Sequence, residues 1–349
     1  MSNAINNFNL VPPDELFSKQ KNSPKIAQPE IVTTKKPSFS NDNFTENLTN
    51  KKANTPKIAN ISLFGLGEKL QGLKGIKVDQ IKLGDFGLKI NNTSSLNLPP
   101  RKNNAVSGSQ FIESTKGLPR DVREKMILNE VLNGNVPDFA RNFKEITLST
   151  TDSTGQKHTG KVQVLPDYVA IGSNNDFIRV PMDPMTAQKI ANKTGTMLPT
   201  RKMVNDIYKQ ASAKLSPQPL PAGATMMSSE YYQKHQSMVE NQRTSKGYNL
   251  GDLTSGHKKD LVITNLLDSN PKKVAIYGWH QNNGKAIQPL STIHEDTYAD
   301  YSHGVRLVNQ TMILDGKKVK VEDVLKNPEL SKMLSDEGVI NNTKIRIRN

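Results

Sequence analysis

Large apolar side chains are spread unevenly along this chain of 349 residues, and that unevenness decides which part of it can fold. Residues 1 to about 115 are rich in Asn, Lys, Ser, Thr and Pro. A stretch such as SKQKNSPKIAQPEIVTTKKPSFSNDNFTENLTNKKANTPK offers too few large apolar groups to offset the entropy of ordering a backbone. The pattern predicts a largely disordered arm over 1–115, a globular domain over 116–340 and a fraying tail at 341–349. One segment interrupts the arm. Residues 61–90, ISLFGLGEKLQGLKGIKVDQIKLGDFGLKI, combine regular Ile, Leu and Val with six glycines. Frequent glycine weakens helix and strand alike. The segment therefore reads either as a linker or as a docking element that orders on a partner, burying Leu63, Phe64, Leu66 and Ile81. It lacks the Gly-Lys-Ser/Thr ending of a phosphate loop.

From Gly117 the pattern changes. Val122, Met126, Ile127 and Val131 recur at helical spacing up to Gly134. Phe143–Leu148 and Lys161–Leu165 flank the polar turn TDSTGQ as a hairpin, and Tyr168–Ile171 and Phe177–Val180 continue a small sheet. Asp183-Pro184 is a cap and first-turn pair for a helix ending at Gly195. A second helix starts near Thr200, and a third, capped by Ser228 or Ser229, runs to about Arg243. Strands return at Leu261–Thr264, Val274–Trp279 and Val305–Val308, with a hairpin at Asp315-Gly316 and short helices at Val321–Leu325 and Leu330–Leu334. Strands, then helices, then strands predict an α+β fold with a mainly antiparallel sheet and inserted helices.

Composition excludes several chemistries. With no cysteine there are no disulfides, thiolate ligands or cysteine nucleophile. The formal charge of +14 suits an anionic partner, whether nucleic acid, membrane surface or cell-wall polymer. The lysines are scattered, and pairs such as Lys258-Lys259 read as solvated surface. No recognition-helix, zinc-finger or RNA-binding signature accompanies them, so specific nucleic-acid binding is not expected. The start, MSNAINNFNLVPPDELF, shows no signal-peptide pattern, and no apolar run approaches the ~20 residues of a membrane span. The expectation is a protein exported or injected by another route, and otherwise cytoplasmic.

Four of the six histidines lie between His257 and His303, with the only tryptophan, Trp279, among them. Imidazole is the side chain best suited to proton transfer or metal binding near neutral pH. The segments GHKKD, YGWH, IHED and YADYSHG each place such groups at a strand end, where functional side chains usually project. Three uses compete. His280, His294 and His303 could hold a zinc ion, though no short metal-ligand spacing supports it. His303 could act as a base oriented by Asp300 or Asp260, with His257 and His280 lining the same cleft. The rings could also simply pack, as could Tyr298 and Tyr301. In LPTRKM, Arg201 and Lys202 stand at a helix start and could hold substrate charge, with Trp279 and Tyr301 completing a binding surface.

LPTRKM, GHKKD, YGWH, the IQPLS segment and YADYSHGVRLV resemble an uncharacterised family of bacterial proteins, often exported or envelope-associated. The likeness covers about residues 117–340, implies an envelope setting and brings no known activity. The expected function is a hydrolase-like domain acting on an envelope polymer, peptidoglycan or a related anionic glycan. Residues 1–115 would serve as an arm for a secretion or injection apparatus, as in an effector. The rival is a non-enzymatic binding or structural component of a phage-like or secretion assembly.

Overall fold

The computed structural model describes residues 94–348, and the expectations for the arm up to residue 93, the 61–90 segment included, lie outside the described residues. The packed unit starts earlier than apolar density suggests. Leu96 is buried, and helix α1 (Gly108–Thr115) buries Phe111 and Ile112 behind a capping box of Ser107 and Gln110. Polar neighbours dilute these few apolar groups, which hides the helix from a composition argument. Helix α2 (Arg120–Leu132) follows as expected, seating Ile127 and Val131 in the core.

Strands β1 (Lys144–Thr151) and β2 (Lys157–Val164) form the expected hairpin, with Ile146 opposite Val162. Their alternation puts Ile146, Leu148, Val162 and Val164 inward, each side chain worth roughly 1.5–3 kcal/mol of burial. Next come the short antiparallel pair β3 (Ala170–Gly172) and β4 (Phe177–Arg179). Helix α3 (Pro184–Thr194) is capped by Asp183, whose side chain accepts from Thr186 N, and ends at Gly195. Strand β5 (Thr196–Met197) leads to helix α4 (Arg201–Gln210), capped by Thr200. After β6 (Ala213–Lys214), Ser228 caps helix α5 (Ser229–Ser245).

The site is positioned by the next elements: β7 (Thr254–Ser255), β8 (Lys259–Leu261), the one-turn α6 (Leu266–Ser269), β9 (Ile276–His280), β10 (Ala286–Ser291) and β11 (His303–Gly304). They give a four-stranded sheet of order β10-β9-β8-β11, antiparallel except for β11 against β8. Strand β12 (Val308–Leu314) belongs to the other large sheet, β1-β2-β12-β13, where β13 (Lys317–Lys320) follows the Asp315-Gly316 turn and β5 pairs β12 at one end. Asp315 and Gly316 both have positive φ, 47° and 79°, as a type I′ hairpin turn requires.

Helix α7 (Val321–Lys326) and a 3₁₀ turn at Ser331–Met333 close the unit. The expected fraying tail is instead packed. Ile345 is buried and its N–H donates to Gln188 Oε1 at 2.8 Å, while Arg348 pairs with the buried Asp296. The architecture is α+β with mainly antiparallel sheets, and no helix among the described residues is long and apolar enough to cross a membrane.

Candidate functional site

The histidine-rich segments meet in two different surroundings. Strand β8 lies between β9 and β11, so Lys259 stands level with Gly278 on one side and His303 on the other. Around this row the interior is polar. His303 is fully buried, with the edge of Tyr298 against its ring at 5.5 Å. Its Nε2 is 3.8 Å from Asp300 Oδ2, beyond hydrogen-bond reach, and neither ring nitrogen has a hydrogen-bond partner among the described residues. Burial pulls its pKa down to about 4, so the ring is neutral at pH 7.

Asp300 is satisfied locally instead. Ser302 donates to Oδ1 from its backbone N–H at 2.7 Å and its hydroxyl at 2.5 Å, and the Tyr298 hydroxyl donates to Oδ2 at 3.1 Å. Burial opposes ionisation of Asp300, but the His303 ring, Lys259 and the Ser302 donors outweigh it and hold the carboxyl well below its ordinary range. Asp260 does not orient His303 either. Tyr168 donates to it at 2.8 Å, Arg306 Nε lies 3.8 Å away, and burial raises its pKa to about 7.

Deeper still, His257 Nε2 sits 3.2 Å from Asp167 Oδ1, and burial brings this imidazole to about 4 as well. Asp167 is bound by Arg179 at 2.7 Å, and Arg179 also reaches Glu240 at 2.7 Å. The lysine pair expected at the surface is interior. Lys258 Nζ donates to the Tyr301 carbonyl at 2.7 Å, with burial bringing its pKa to about 7, and Lys259 Nζ lies 5.2 Å from the centre of the Trp279 ring. Tyr301 is also interior, its hydroxyl accepting from Leu220 N at 2.7 Å. His235 on α5 packs its ring on Tyr301 at 5.1 Å. It lies outside the histidine-rich stretch and went unmarked in the sequence.

The second surrounding is an open groove of about 630 Å³ between α4 and β9. Gly278 and Trp279 both take positive φ, 110° and 56°, which twists β9 just before His280. For Trp279 this is strained backbone of a kind held only where neighbours enforce it. A side chain at Gly278 would meet Val204 at 3.3 Å and the His280 ring at 3.4 Å, so the turn needs glycine for space as well as φ.

His280 thereby packs against α4, stacked on Tyr208 at 4.5 Å. Asn205 Oδ1 accepts from both His280 Nε2 and the Tyr277 hydroxyl at 2.9 Å. The lone pair is then on Nδ1, and burial lowers the pKa to about 4. Lys209, Lys214, Asn282, Asn283 and Gly284 complete the groove. Asn205, Tyr208 and Lys209 share one face of α4 at i, i+3, i+4 spacing, a signal the sequence carried but that its apolar face overshadowed.

Several expectations need correction. His280 and His303 do not share a hollow: His280 lines the groove, whereas Tyr298 and Asp300 surround the sealed His303. His257, Asp260, Asp300, Trp279 and Tyr301 do not line this groove, whereas His280, itself only 2% exposed, forms part of its wall. Arg201 and Lys202 do not face the groove. Arg201 pairs with Asp336 at 2.9 Å and Lys202 with the largely buried Asp206 at 2.6 Å, so both cations are already matched. His294 stacks on Tyr298 at 4.1 Å, apart from His280. No group of three His, Asp or Glu side chains among the described residues is arranged to hold a metal, so the zinc set His280, His294 and His303 is not assembled. Compared with protein-family models, curated proteins and solved structures, the chain matches none.

Proposed function

We propose that the domain is a hydrolase acting on an anionic envelope polymer, peptidoglycan or a related glycan, bound in the groove at His280. The observation that carries this reading is the placement of His280: a neutral imidazole, oriented by Asn205, lining an open groove. Tyr277 offers a ring for sugar contact, Asn282 and Asn283 offer amides, and Lys209 and Lys214 offer positive charge. The chain's net charge of +14 and the envelope-type motifs agree with an anionic target.

The lining contains no carboxylate, whereas glycosidic cleavage ordinarily uses two. The bond suited to this groove is therefore an amide or ester on the polymer's peptide or acyl substituents. His280 Nδ1 takes a proton from water as the water oxygen bonds to the carbonyl carbon. Lys209 and Lys214 offset the charge that develops on the carbonyl oxygen. The imidazolium then returns its proton to the leaving nitrogen or oxygen as that bond to carbon breaks.

The test is release of soluble fragments from isolated sacculi by the full chain and by His280→Ala. A loss on the order of 100-fold or more is expected, from the usual contribution of a positioned acid–base group. Equal release by the variant rejects the role of His280. The sealing of His257 and His303 favours the rival, a non-enzymatic binding component, for which sacculi would bind without any release.

A further inference from the structure

A second cavity, of about 350 Å³, lies at the start of α2 and is walled by Tyr298, His294, Met227 and Ala299 with Arg120 and Arg123. Its charges are matched except at one point. Arg120 is paired with Asp183 at 2.7 Å, and Glu295 with Lys273 at 2.6 Å. Arg123 is only 7% exposed, and no carboxylate among the described residues forms an ion pair with it. Its guanidinium lies over the Tyr232 ring at 5.0 Å, with a long 3.4 Å contact from Nη2 to that hydroxyl. Glu124 and Glu230 attract it from beyond pairing distance, and its Nε is buried with no hydrogen-bond partner. A buried guanidinium without a hydrogen-bonded carboxylate is costly, because distant charges and an aromatic face offset its removal from water only in part.

We propose that this cavity binds a carboxylate carried on a small apolar group, with Arg123 as its anchor. One unmatched positive charge suits a monoanion, and a planar fork suits a planar carboxylate. The dianion of a phosphate monoester would instead bring a second charge close to Glu295. Met227 and Ala299 provide the apolar wall, with the Tyr298 ring and Thr297 at the cavity edge. The inference does not depend on hydrolysis at His280.

The experiment titrates the full chain at pH 7 with propanoate, and separately with inorganic phosphate, following binding by calorimetry. Saturable propanoate binding is expected. Phosphate should bind at least ~5-fold more weakly, given the single unmatched charge. Arg123→Lys keeps the charge but loses the fork and should weaken propanoate by about 10-fold. Met227→Asp, at a position 40% exposed and outside the packed core, places a negative charge at the rim and should also weaken it while leaving the melting temperature unchanged. If Arg123→Lys does not fold, Met227→Asp decides. No saturable propanoate binding, phosphate binding as tight as propanoate, or unchanged affinity in Met227→Asp each overturns the proposal.

Discussion

The groove at His280 and the interior at His303 hold the same kind of side chain in opposite circumstances. Both rings are neutral, brought to about 4 by burial, and both lie in one sheet. His280 has a side-chain partner on one nitrogen and lines open space, whereas His303 has no partner on either. The difference teaches that a low imidazole pKa marks burial and does not by itself mark chemistry. What separates the two is a fixed tautomer beside a place for a substrate, and β9 provides that by twisting at Gly278 and Trp279.

The largest expected effect breaks the comparison directly. His280→Ala, assayed well below its melting temperature, should lower fragment release by on the order of 10²–10⁴-fold, whereas His303→Leu should leave release nearly unchanged. Because the buried His280 ring stacks on Tyr208, His280→Ala should melt earlier than the wild type. His303→Leu should also hold or raise the melting temperature, because an unpartnered buried polar ring is exchanged for an apolar group of similar size. A His303→Leu enzyme without activity but fully folded would return the catalytic role to the interior.

The interior should answer most strongly to loss of charge pairing. Arg179→Met leaves Asp167 and Glu240 without their shared cation, and Asp167 is nearly inaccessible. Removing one member of such a pair costs roughly 3–5 kcal/mol, which denaturant titration would read as a shifted midpoint. An unchanged midpoint would mean that solvent already reaches this network.

Much of the scaffold was readable because local chemistry and tertiary packing agree. Asp183 and Thr200 cap helices where they should, and alternation across Ile146 and Leu148 sets the hairpin. The site was read less well for a physical reason. Lys258-Lys259 looks like surface charge in sequence, and only a sheet covered on both sides, with Tyr301's carbonyl in reach, makes it interior. Histidine density located β9 and β11, yet the partners that distinguish His280 from His303 come from α4 and from the Tyr298 loop. Asp167, Arg179 and His235 come from three further segments, and nothing local signals their convergence.

The pH dependence of stability sharpens the contrast next. Burial lowers the folded pKa of His257, His280 and His303 to about 4 and that of His235 well below its ordinary value, so unfolding takes up protons at all four below the ordinary 6.5. Asp260 and Glu124, both raised to about 7 by burial, oppose this, since their folded forms keep protons that the unfolded chain has lost. Four against two leaves a net uptake of about two protons on unfolding, so stability should rise with pH across this window. Asp260→Asn should steepen that rise. Hydrolysis should show a different profile: it needs only His280 unprotonated, so its acid limb should lie near 4 and be absent near 6.5.

The smallest effect concerns salt, and it separates exposed from buried charge. Lys209 is 73% exposed at the groove and only loosely held by Asp206 at 3.4 Å, so its attraction for an anionic polymer is open to screening. Lys209→Gln should weaken sacculus binding by only about 2-fold at low salt, and by less at 0.5 M, where the wild type has lost the same contribution. The Arg179–Asp167 pair lies inside the protein, and mobile ions cannot come between its members. The cost of Arg179→Met should therefore be nearly the same at both salt concentrations. If salt erased that cost while leaving the Lys209→Gln effect intact, the assignment of open and sealed regions would be reversed.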